Sequence, residues 1–157
     1  MTIGVYGLDE EGFFGALRNA SVDTFCDIRR RRGMRGSLYA FANSARLQER
    51  LAQLGIRYLH VKELAPGEEI RELQKQDDKQ QRIARRARTV LGDAFREAYT
   101  RDVLSNFDTD RFLEELGPEA HVVCLFCVEA APEACHRSLV AERLERDLGI
   151  EVEHIRP

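Results

Sequence analysis

The sequence predicts an α/β fold in three layers, a mostly parallel open sheet flanked by helices. Short apolar runs of strand length alternate along the chain with stretches of helical periodicity. One run, His121 to Cys127, is apolar nearly throughout, as a strand is when helices cover both faces of its sheet. The 157 residues, 43% of them hydrophobic, suffice for one sizeable core and fall short of two ordinary domains. A single domain over 1–157 is expected, with a charged helical insertion at about 66–119.

Ile3 to Tyr6 reads as the first strand, after which Glu10 to Arg18 sets Phe13, Phe14 and Leu17 on one helical stripe. Thr24 to Ile28 reads as the second strand. An Arg- and Gly-rich loop leads from it to a helix over Ser44 to Leu54, with Ser44 as N-cap and Gly55 just beyond the end. Ile56 to Val61 is the third strand. From Glu68 to Leu104 the chain is charged and helix-prone, with Gly92 the one obvious breaker, and Thr109 to Leu116 reads as a further short helix. His121 to Cys127, the fourth strand, is expected at the centre of the sheet. Pro132 or a neighbour opens a helix to about Leu148, Gly149 caps it, and Ile150 to Ile155 returns as a last strand.

Composition narrows the function classes. No apolar run approaches the roughly 20 residues needed to cross a bilayer, and the start MTIGVYGLDEEGF lacks the basic and long apolar parts of a secretory signal. A cytoplasmic protein with no membrane partner is expected. Cys26, Cys124, Cys127 and Cys135 lie in apolar or strand-like surroundings, so thiols are expected rather than a disulfide frame. The charge of -3, from 24 basic and 27 acidic side chains, argues against a globally basic nucleic-acid coat but leaves local phosphate-binding clusters open. GxGxxG, P-loop, HExxH and GxSxG runs are absent, and no cofactor is expected.

In open α/β sheets, ligands bind at the carboxyl ends of the strands. The second strand ends in Cys26-Asp27-Ile28-Arg29; the fourth ends in Cys127-Val128-Glu129 and is followed by Pro132 and Cys135-His136-Arg137. The run CVEAAPEACHR, with TIG at Thr2 to Gly4, DIR at Asp27 to Arg29, LGIRYLH at Leu54 to His60 and EVEH near the end, resembles the bacterial and archaeal family called domain of unknown function 488. Tyr6-Gly7, a loop after Arg29 without a proline, and Leu64 to Gly67 depart from the family pattern. The resemblance implies a site built from these segments and names no activity.

Cys135 near a helix start, beside His136 and Arg137, suits a thiolate nucleophile with His136 or His60 as proton acceptor. Cys127 is the other candidate nucleophile; a small buried residue locking the loop to the sheet is the alternative for both. Glu129 is either a general base or the partner of an arginine. Arg29 and Arg137 are expected to open into one cavity and hold an anion, with Asp27 and His60 beside it, and a purely structural arginine is the alternative. A zinc site using Cys124, Cys127, Cys135 and His136 is disfavoured, because residues three apart on a strand face opposite ways. These residues suggest a small enzyme whose partner is a phosphorylated small molecule or nucleotide. The alternative is a noncatalytic nucleic-acid-binding or DNA-repair-associated module using Arg30, Arg31, Arg32 and Arg35 on the phosphate backbone. A second basic run, Arg82 to Arg88, reads as a solvent-facing helix.

Overall fold

The computed structural model describes residues 1–157, the side chain of Arg85 excepted. Five strands, β1 (Thr2–Gly4), β2 (Thr24–Asp27), β3 (Arg57–His60), β4 (Val123–Cys127) and β5 (His154–Ile155), form one parallel sheet in the order β3-β2-β4-β1-β5. The most apolar strand is therefore the middle one, as its composition predicts, and from Cys124 to Cys127 it is buried.

Parallel neighbours need a crossover, and crossovers are right-handed, so strand order decides which face each helix covers. Helices α1 (Glu10–Asn19) and α2 (Ser44–Gln53) share one face. There Phe13 of α1 packs its ring 5.5 Å from Phe126 of β4 and 6.2 Å from Phe25 of β2. Arg46 of α2 pairs with Glu10 of α1. The opposite face carries α3 (Glu68–Gln80), α4 (Asp93–Asp102), α5 (Thr109–Leu116) and α6 (His136–Leu148). The ring of Tyr99 in α4 packs on His136, and Thr109 of α5 donates to Asp147 of α6. The result is three layers. Each aromatic side chain buried between layers contributes roughly 1.5–3 kcal/mol.

Several ends fall short of their apolar patterns for identifiable reasons. His121 and Val122 stay outside β4 because their N–H groups donate to the Asp23 carboxylate. The last strand shrinks to two residues because the Val152 N–H is taken by the Glu145 carboxylate of α6. Asn43, not Ser44, is the N-cap of α2; its side chain accepts instead from Met34 N, and Ser44 accepts from Gln48 within the helix. At the other end of the chain's last helix, Gly149 takes the left-handed conformation at φ 65°, which glycine adopts without a Cβ clash.

The largest correction concerns Arg82 to Arg88. Helix α3 stops at Gln80, Arg82 turns left-handed at φ 56°, and a single 3-10 turn spans Arg85–Ala87. The chain then folds back against α3 and the loop after β4: Leu91 N donates to Glu133 O, Gly92 N to the Gln74 side chain, and Arg88 to Ala134 O. The run is a strap, held by tertiary contacts that its helical spacing does not reveal. No helix among the described residues is long and apolar enough to cross a membrane.

Strands β2 and β4 are neighbours, yet the chain leaves β2 toward α2 on one face and leaves β4 toward α6 on the other. Loops that diverge in this way leave a crevice at the carboxyl ends of the two strands. The segments that follow β2 and β4, from Arg29 to Arg35 and from Cys127 to His136, border it.

Candidate functional site

Cys127 is the last residue of β4 and points to the α6 face, like its register partner Gly4. The loop beyond it makes a 3-10 turn at Pro132–Ala134, and Cys135 then becomes the N-cap of α6, with His136 as first helical residue. This short return brings the three side chains together. His136 Nδ1 lies 3.8 Å from Cys127 Sγ and 4.0 Å from Cys135 Sγ, and all three ligand-type atoms are within 4.8 Å of one another. His136 Nε2 is 3.2 Å from Ile28 O. A carbonyl only accepts, so Nε2 carries a proton, and Nδ1 is the ring nitrogen turned to the two sulfurs.

Electrostatics divides the two thiols. Burial acts most strongly on Cys135 and raises it, but hydrogen bonding from Cys127, the charge and hydrogen bond of His136 and the charge of Arg137 together take it well below the ordinary thiol value. Cys127 moves well above it, first because it donates to Cys135 and then because it is buried. Cys135 is thus the more readily ionised sulfur and Cys127 the thiol that supports it. Burial pushes the other two cysteines, Cys26 and Cys124, up to about 12, which leaves them inert.

The three residues line a cavity of about 660 Å³. Arg30, Arg31, Gly33, Met34 and Arg35 of the loop after β2 form one wall, Arg71, Gln74, Lys75 and Asp78 of α3 another, and Arg86 and Arg88 of the strap a third. Among the described lining residues, eight are arginine or lysine against two carboxylates, Asp78 and Glu129, so the cavity favours anions. Arg88 is fixed there by Asp78 at 2.9 Å and Glu129 at 3.4 Å, and Arg86 stacks over the rings of Tyr6 and Tyr39 at 5.0 and 5.7 Å. A groove of about 640 Å³ between α1 and α2 holds acidic and basic side chains that include the Arg46–Glu10 pair, and neither thiol nor imidazole.

The shared cavity expected for the guanidinium groups of Arg29 and Arg137 is not formed. Arg29 is part of the cavity wall, but its guanidinium turns to the α1 face, donates to both Asp27 oxygens at 2.8 and 2.7 Å and to Ala42 O at 3.0 Å, and stacks 4.5 Å over Phe126. Tyr58 OH adds a third contact to the same Asp27. Arg137 is 0% exposed on the α6 face and donates to Glu129 O, Ala130 O and Thr2 Oγ1. A Cβ on Gly4 would lie 1.9 Å from Glu129 O, so only glycine at this point of β1 admits the loop that Arg137 holds. Each arginine staples one loop, Arg29 the one after β2 and Arg137 the one after β4.

The remaining candidates divide. Glu129 borders the cavity, accepts from Arg137 through its carbonyl and pairs with Arg88 through its carboxylate. His60 faces the α1 side, where its Nε2 donates to Arg29 O at 2.9 Å, and does not line the cavity. Arg30, Arg31 and Arg35 are exposed at the cavity, whereas Arg32 turns toward Tyr58 OH. Cys124 lies on the α1 side of β4, apart from the Cys127 cluster, as strand alternation predicts. Sequence reasoning missed Arg71 and Lys75, and it set Arg86 and Arg88 on a solvent-facing helix. The signal for the first two was their i, i+4 spacing on α3, which puts both on one helical stripe.

Residues 10–144 match the family model described as domain of unknown function DUF488. No curated protein and no solved structure matches the chain.

Proposed function

The chain belongs to the DUF488 family, and from its site we propose that it is an enzyme acting on a phosphorylated small molecule or nucleotide by nucleophilic displacement at phosphorus. One observation carries this reading: a thiol pair with an imidazole nitrogen borders a cavity lined, besides Arg29, by seven arginine and lysine residues and two carboxylates. Arg30, Arg31, Arg35, Arg71, Lys75 and Arg86 neutralise the phosphate, and the first N–H groups of α6 supply further donors. Arg29 and Arg137 act from behind, as positioning residues that hold the two loops.

The steps balance within these groups. His136 Nδ1 takes the Cys135 proton, and the Cys127 S–H donates to the thiolate that remains. The sulfur forms a bond to phosphorus while the phosphorus–oxygen bond to the leaving group breaks, and the leaving oxygen takes the proton from His136. Water then attacks the phosphoryl–cysteine, giving its proton to His136 and releasing phosphate and thiolate.

The reading is tested with a panel of nucleotides and phosphorylated metabolites, followed by thermal shift and phosphate release. A ligand that raises the melting temperature and is hydrolysed by the parent chain but not by Cys135→Ser supports it. Steep, salt-dependent binding of DNA or RNA with no small-ligand response replaces it with a nucleic-acid-binding module using the exposed Arg30, Arg31 and Arg35.

A further inference from the structure

Cys127, Cys135 and His136 also satisfy the requirements of a different occupant. We propose that Cys127 Sγ, Cys135 Sγ and His136 Nδ1 bind one soft divalent ion of the zinc class, with the fourth coordination position open to the cavity.

Three independent observations support this. The first is spacing: Zn–S bonds of about 2.3 Å and Zn–N bonds of about 2.0–2.1 Å put nitrogen and sulfur roughly 3.6 Å apart on a tetrahedron. The two nitrogen–sulfur distances here are 3.8 and 4.0 Å, so small side-chain shifts close the shell. The second is orientation. A ligating histidine characteristically donates its other ring N–H to a carbonyl or carboxylate, and His136 Nε2 does so to Ile28 O at 3.2 Å. The ring is held in the one tautomer that offers Nδ1, and Tyr99 packs against its side. The third is the surroundings. All three residues are buried and all three line the cavity, so the protein supplies three ligands and leaves one side open. Three ligands with an open position describe a zinc site that takes up water or an anionic oxygen.

The donor set selects the ion. Two sulfurs and an imidazole disfavour magnesium and calcium, which require oxygen, and among divalent ions favour zinc or cobalt. The cationic cavity is no obstacle, because binding replaces two thiol protons with the ion, and two thiolates offset its charge. With both sulfurs coordinated, neither is free to attack. The loaded and metal-free forms therefore differ in thiol reactivity, and the ion site holds or fails independently of the phosphoryl-transfer reading.

The test titrates the reduced, metal-free full chain with Co²⁺ and then Zn²⁺. The expected result is one Co²⁺ per chain, with thiolate-to-cobalt charge-transfer absorption that Zn²⁺ bleaches. Under the same conditions Zn²⁺ should slow alkylation of Cys127 and Cys135 at least tenfold and leave Cys26 and Cys124 unchanged. Cys127→Ser should lose the charge-transfer band, and Cys124→Ser should keep it. Because Cys127→Ser can fail to fold, the protection pattern in the parent chain decides by itself. Absence of stoichiometric Co²⁺ binding, or Zn²⁺ protection that does not distinguish the two pairs of cysteines, overturns the proposal. The phosphate-ligand thermal shift on the metal-free chain reports separately on the enzyme.

Discussion

At Gly4 the family-like segment TIG shows its physical content. Thr2 receives the Arg137 N–H, and Gly4 leaves room for the Glu129 carbonyl that the same arginine holds. A Gly4→Ala substitution puts its methyl 1.9 Å from that carbonyl oxygen, so loop and strand must separate. We expect a loss of ~2–3 kcal/mol in urea unfolding, the range of an overpacked core, together with weaker ligand binding. Asp27→Ala leaves the Arg29 guanidinium buried without its carboxylate and should cost ~3–5 kcal/mol by the same measurement. Of this residue-level picture, the segments that border the site were legible in the sequence and the destinations of its arginines were not. Asp27 and Arg29 are two apart, a spacing that puts both on one side of an extended chain, so their pairing was readable. That this side is opposite to that of Arg137 depends on strand register, which no local pattern encodes.

At the scale of elements, β5 is the shortest strand and carries a pH-dependent contact. It pairs only with β1, and His154 Nδ1 lies 2.8 Å from Thr2 Oγ1. Partial burial, and then the charges of Arg137 and Arg156, lower the His154 pKa below its ordinary 6.5. In the window just below 6.5 the unfolded chain binds the proton more readily than the folded one, so this histidine makes stability rise with pH there. We expect His154→Gln to flatten that part of the melting-temperature profile between pH 5 and 7; equal slopes in parent and variant would contradict the assignment. Elements with strong apolar periodicity were legible to within a few residues: α1, α5 and the middle strand are examples. Their ends were less so, because side chains such as Asp23 and Glu145 take backbone donors that the ladder would have used. The strap from 81 to 92 was misread because its arginines have helical spacing while its conformation is set by contacts with Gln74, Glu133 and Ala134.

Over the whole molecule, a net charge of -3 conceals a cavity whose described lining, Arg29 set aside, has seven arginine and lysine residues against two carboxylates. Binding of a phosphorylated ligand should weaken as salt shortens the Debye length from about 10 Å at 0.1 M to about 3 Å at 1 M. Arg31→Glu should lower affinity about tenfold at low salt, ~1.4 kcal/mol, with a smaller effect at high salt, as read by calorimetry. Salt-independent affinity would remove the cations from the binding step. The three-layer class was legible from alternation alone, but strand order was not, and strand order is what unites the two halves of the site. Strand β4 lies between β1 and β2, which precede it by most of the chain: Thr2 pairs with Leu125, and Thr24 with Val123. During synthesis or refolding, β2, α2 and β3 can associate locally, whereas β1 has no inner neighbour until the late-emerging strand wedges in. The amides of β1 and β4 should therefore gain protection together in pulsed hydrogen exchange, and a nascent chain that has not yet exposed Cys127 has no cavity to fill.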